Sequence, residues 1–178
     1  MKKIIFILTI ALVSQNNYAQ KNVFDKFENQ KDVTSMIVTK SMFKLMSKID
    51  LSSNDPEAKN YLNMVENLEN IKIFTTDNAT TAIDMKNTVD NYIKSSTALT
   101  ELMRVTDDGK NIRFYVKEGK NENFVSELLM FLEDSSSKDK QAVVMSITGN
   151  IDLRQISQLT SDLKVPGSDQ LKNVNKKN

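Results

Sequence analysis

The chain has 178 residues, 24 Lys and Arg against 23 Asp and Glu, and neither cysteine nor histidine. That inventory excludes disulfides, zinc held by Cys or His, and Ser-His-Asp or Cys-His nucleophilic machinery. The near-zero charge argues against nucleic acid or an anionic membrane surface as partner, since both call for a basic excess.

Residues 1–20, MKKIIFILTIALVSQNNYAQ, have the three parts of a signal peptide: Lys2 and Lys3, an apolar run from Ile4 to Val13, and a polar stretch holding Ala19. As a helix the run covers about 15 Å, half of a bilayer core of ~30 Å. It therefore reads as a cleaved leader. Cleavage near Ala19/Gln20 predicts an exported chain, periplasmic or secreted, without a transmembrane segment. Loss of the leader takes away two lysines and no acid, which turns the net charge from +1 to −1.

Lys21–Asp32 reads as a lead-in with Phe24 and Phe27 as anchors. The β-branched run Val33–Thr39 predicts a strand. Met42, Leu45, Met46 and Ile49 then recur at helical spacing, the inward face of a first helix. Asp55-Pro56-Glu57 is a helix start, with Ala58, Tyr61, Leu62, Val65 and Leu68 on the apolar face and Asn70 as the stop. Ile71–Thr76 predicts a strand. Asn78 caps a third helix with Ala82, Met85, Val89, Tyr92 and Ile93 inward and Leu99 as a candidate at its far end. Strands over Leu102–Thr106 and Asn111–Lys117 flank the Asp108-Gly109 turn. Asn123–Glu133 fits both periods, and its density of apolar residues favours a covered strand. Gln141–Thr148 is a strand broken by Gly149-Asn150. Asp152 caps a last helix carrying Leu153, Ile156, Leu159 and Leu163, which Pro166-Gly167 ends.

The expected fold is α+β: one domain over 21–165, with a mixed, mainly antiparallel sheet of about five or six strands. Helices pack on one face, a C-terminal β-meander is followed by a helix, and 166–178 is a disordered tail.

Four Ser-x-x-Lys matches, at Ser41, Ser135, Ser137 and Ser161, lack the Lys-Thr-Gly triplet of penicillin-binding enzymes and read as chance. The acid pairs have helix-face, turn or cap roles, and no loop carries the calcium pattern. Met36, Met42 and Met46 read as core packing, not a copper site. No catalytic residue, metal ligand or cofactor is therefore assigned. The specific lead is a pair of arginines. A two-residue turn at Asp108-Gly109 sets Asp107 against Lys110, Val105 against Ile112 and Met103 against Phe114. It also sets Arg104 against Arg113 and Leu102 against Tyr115. Like charges placed opposite cost stability. Either both heads splay into solvent or pair with nearby acids, or Arg104, Arg113 and Tyr115 form an anion- or partner-binding site on an open sheet face.

FDKFENQKDVTSMIVTKSMFKLMSKI, NLENIKIFTTDN, SELLMFLED and VVMSITGNIDLRQISQL, in that order, resemble the domain-of-unknown-function 4252 family, exported proteins mostly of Bacteroidetes. The likeness spans roughly Phe24 to Leu163. It implies a signal peptide, one α/β domain and no established activity, ligand or catalytic residue. Some relatives look like lipoproteins, and this chain lacks the cysteine that requires.

The expected function is an envelope protein, non-enzymatic, binding a protein or an anionic ligand, with a homodimer as the simplest partner. The alternatives are a periplasmic enzyme using carboxylates or a divalent cation, and an accessory factor in envelope signalling.

Overall fold

The computed structural model describes residues 22–49, 63, 65–121, 123–135 and 140–152. Six strands form one sheet: β1 (Thr34–Thr39), β2 (Leu68–Thr76), β3 (Leu99–Asp107), β4 (Lys110–Glu118), β5 (Phe124–Asp134) and β6 (Gln141–Asp152). Their order is β1-β2-β6-β5-β4-β3, and every pairing is antiparallel. Strands β3 to β6 are the expected meander. The helices are α1 (Lys40–Ile49) and α2 (Ala79–Ser95). The α+β class and strand number match the sequence reading.

β5 settles the ambiguous run as a strand. It lies between β4 and β6, and Val125 and Leu128–Leu132 are buried on both faces. A central strand covered on two sides needs this unbroken apolar run rather than alternation.

One face carries Phe74, Leu129, Phe131, Tyr115 and Val144, packed against Ala82, Met85 and Val89 of α2 and against Phe24 and Phe27. The other carries Ile71, Ile73, Ile112, Phe114, Met130, Met145 and Ile147 together with Phe43 of α1. Helical residues thus contribute to both faces, not to one.

Asn78 caps α2 as expected, its Oδ1 accepting from the N–H groups of Thr80 (3.0 Å) and Thr81 (3.1 Å). The lead-in segment is a short 3-10 turn at Asp25–Phe27. Phe24 stands edge-on to Tyr92 at 5.5 Å. Lys26 pairs with Asp84 of α2 (2.8 Å), and Lys72 of β2 bonds Asp25 and Glu28.

Four expectations change. α1 turns Phe43 inward and leaves Met42 and Leu45 about half exposed (49% and 53%). The helix follows β1 without a loop, and that junction, not the periodicity alone, fixes its phase. Leu68–Asn70, expected to finish a helix, begin β2, with a bulge between Leu68 and Asn70. Leu99 starts β3 instead of extending α2. Gly149-Asn150 does not end β6, which runs on to Asp152. A bulge absorbs the break: Gly149 has φ +140°, and the Asn150 N–H bonds the Asn67 carbonyl at 2.8 Å. Residues 1–20, most of the helix expected from Asp55, the last helix and the 166–178 tail lie outside the described residues.

Candidate functional site

The hairpin forms in the predicted register. Asp108 (φ 41°) and Gly109 (φ 79°) make the two-residue turn, and Arg104 faces Arg113. One pairing differs: Glu101, not Leu102, lies opposite Tyr115, because a bulge separates Glu101 from Met103. In a regular strand, residues three apart point to opposite faces. The extra residue cancels that alternation and brings the Glu101 carboxylate to Arg104. Arg104 donates from Nε (3.1 Å) and a terminal nitrogen (2.7 Å) to its two oxygens. These bonds hold the Glu101 carboxyl below the usual carboxylate range.

Arg113 lies on the face that α2 covers, not on an open one. Its guanidinium donates to Asp90 of α2 (3.3 Å) and to the Tyr115 hydroxyl (3.5 Å), over the Phe131 ring at 5.4 Å. Tyr115 is buried. The structure thus brings Arg104, Arg113 and Tyr115 together and supplies each arginine with a carboxylate of its own.

The opposite end of this face holds a different arrangement. A cavity of about 710 Å³ is lined by Asn22, Val23 and Asp25 of the lead-in, Tyr92 and Ser95 of α2, and residues of four strands. Its floor is a row set by register: Asn70 pairs with Thr148, Thr148 with Glu127, and Glu127 with Lys117. Neighbouring strands stand about 4.8 Å apart, so three uncharged or acidic side chains form a continuous polar strip. Bulges at Leu68/Asn70, Val125/Glu127 and Lys117/Glu118 end the regular ladders beside it. Gly149 is obligatory there, because a Cβ would meet the Asn67 oxygen at 2.5 Å and Leu68 Cα at 2.7 Å.

Glu127 is 6% exposed. Tyr92 donates to its Oε2 at 2.8 Å. Burial pushes the Glu127 carboxyl above its usual range, against the opposing pull of the Tyr92 bond and the Lys117 charge. Burial and the same bond push the Tyr92 phenol well upward. Glu127 Oε1 has no partner. Neither do Asn70 Oδ1, Thr148 Oγ1 and Ser146 Oγ, so four of the five orphaned buried side-chain atoms among the described residues cluster here; the fifth is Asn111 Oδ1. Such groups cost about 1–3 kcal/mol each when unanswered. Lys72 offers no relief. Burial lowers its ammonium, but the bonds to Asp25 and Glu28 outweigh that and raise it.

Sequence reasoning did not reach this site. The visible signal was Glu127 itself, an acid inside FVSELLMFLE on the same strand face as Leu129 and Phe131.

The described residues form an α+β domain, an open antiparallel sheet with a polar cavity at one end, and among them no group of three or more Asp or Glu could hold a metal. Among those residues no helix is long and apolar enough to cross a membrane. The sequence model of the Domain of unknown function (DUF4252) family matches residues 27–159, and the chain belongs to that family. No curated protein and no solved structure matches it.

Proposed function

We propose that this is an exported, non-enzymatic binding module whose ligand occupies the cavity at the Glu127 end of the sheet. The leader-like residues 1–20 support export. The observation that carries binding is the cluster of unanswered acceptors on Asn70, Glu127, Thr148 and Ser146, three of which belong to residues lining one cavity. A cavity of this size suits a small molecule. The ligand is small and polar and donates hydrogen bonds, because the unanswered atoms are carbonyl, carboxylate and hydroxyl oxygens. Those oxygens are shielded, so binding shifts the side chains in front of them. The arginine pair is a poorer anion site, since Glu101 and Asp90 already occupy its donors.

A nitrogen-15 NMR screen of sugars, polyols, amines and amino acids tests this. A ligand shifts the amides of Asn70, Glu127, Thr148 and Tyr92 together, and Thr148→Val weakens it. If no class moves those amides, or the shifts gather at Arg104 and Arg113, the reading fails.

A second reading is carboxylate catalysis. It is favoured by Asp25, Glu69 and Glu127 lining one cavity, with Glu127 raised as general acids are. Turnover of a cavity-binding compound, abolished in Glu127→Gln, would establish it.

A further inference from the structure

Among the described residues the sheet ends in two edge strands, β1 and β3, without a further neighbour, and they are built differently. β3 is blunted in the ways natural edges are: a bulge at Glu101/Met103 and the charged residues Glu101, Arg104 and Asp107. β1, TSMIVT, has no charge, no proline and no bulge. Its six residues pair with β2 in unbroken register, Thr34 with Thr75 through Thr39 with Asn70. Its outer backbone edge is a template for another strand. Met36 (37% exposed) and Ile37 (39%) stand on its two faces. Met36 lies opposite Ile73 and Ile37 opposite Lys72. Exposed Met42 and Leu45 of α1 follow directly in the chain.

We infer that β1 pairs antiparallel with β1 of a second copy of this chain, joining two sheets into one. The choice of a second copy rests on charge. Antiparallel self-pairing uses a two-fold axis normal to the sheet, and each residue then meets one on its own face. Centred on Ile37, it sets Ile37 against itself, Met36 against the second copy's Val38, and Ser35 against the second copy's Thr39. No charge faces a like charge. The same operation on β3, centred on Arg104, would oppose Arg104 to itself. An uncharged edge also offers nothing to select a charged peptide, whereas self-pairing covers the apolar side chains on both faces at once.

The chain has no cysteine, which makes cross-linking clean. Sedimentation velocity of the purified chain over a wide micromolar range should show a monomer–dimer equilibrium. Ile37→Lys should weaken it at least tenfold while the circular dichroism spectrum and melting stay native, and Leu102→Lys on β3 should leave it unchanged. In the otherwise cysteine-free chain, Ile37→Cys should oxidise to a disulfide-linked dimer, and Leu102→Cys should not. If Ile37→Lys fails to fold, the Cys pair decides alone. A monomer at every concentration, a dimer indifferent to Ile37→Lys, or cross-linking through Leu102→Cys in place of Ile37→Cys overturns the inference. None of these results bears on the cavity.

Discussion

Arg113 and Glu127 stand on one face of one sheet, beneath one helix, and α2 treats them in opposite ways. It brings Asp90 to Arg113, so a half-buried cation meets a carboxylate at 3.3 Å. It brings Tyr92 to Glu127, which satisfies one oxygen and leaves the other without a donor. At the hairpin end the charges cancel internally. At the bulged end Asn70, Thr148, Ser146 and Glu127 leave polar capacity unused. Charge alone is therefore a poor marker of a site: the end that looks reactive in sequence is neutralised, and the end built from ordinary residues is not.

The strongest way to break the contrast is to remove the backbone geometry that builds the bulged end. Gly149→Ala combines a φ of +140° with a 2.5 Å clash against the Asn67 carbonyl. It should cost about 3 kcal/mol or more in urea unfolding. At the other end, Asp90→Ala leaves Arg113 covered and without its carboxylate, at a cost of about 2 kcal/mol by the same measurement. Arg104→Ala, whose partner pair lies in solvent, should leave the unfolding midpoint unmoved. Equal effects at Asp90 and Arg104 would show that the burial difference between the arginines does not matter.

One effect has the opposite sign. Glu127→Gln keeps an acceptor for Tyr92 and adds N–H donors beside the orphan oxygens, so at neutral pH it should stabilise by about 1 kcal/mol, roughly 3 °C in Tm. The pH dependence follows from the raised carboxyl. The folded state binds this proton more tightly than the unfolded chain. Stability from Glu127 therefore rises as pH falls through its raised folded value, and is complete below the ordinary carboxylate range. Differential scanning calorimetry across that window should show the slope in the parent and a flatter one in Glu127→Gln. A parent without it would mean Glu127 is solvated in solution.

Turn chemistry made the hairpin legible: Asp108-Gly109 admits one geometry, and that geometry carries the register along both strands. Density of apolar residues made β5 legible. What the sequence hid was every departure from regularity. The bulges at Leu68/Asn70 and in β6 let strands continue where helix and break signals stood. Met42 and Leu45 matched helical spacing, yet the direct junction with β1 turned Phe43 inward instead. The Glu127 site needs three strands in register, and Asn70, Thr148 and Glu127 are unremarkable until β6 is known to lie between β2 and β5.

The bulge between Glu101 and Met103 leaves Leu102 as the unpaired residue of β3, and the bulge itself decides which face Glu101 takes. Leu102 is exposed and free to be many residues. It is also the residue the ladder can lose. Its deletion would restore strict alternation with Glu101 two residues from Arg104, still opposite Tyr115 and still on the face of both arginines. What would turn Glu101 over is loss of the bulge with Leu102 retained, because Leu102 would then take the place opposite Tyr115.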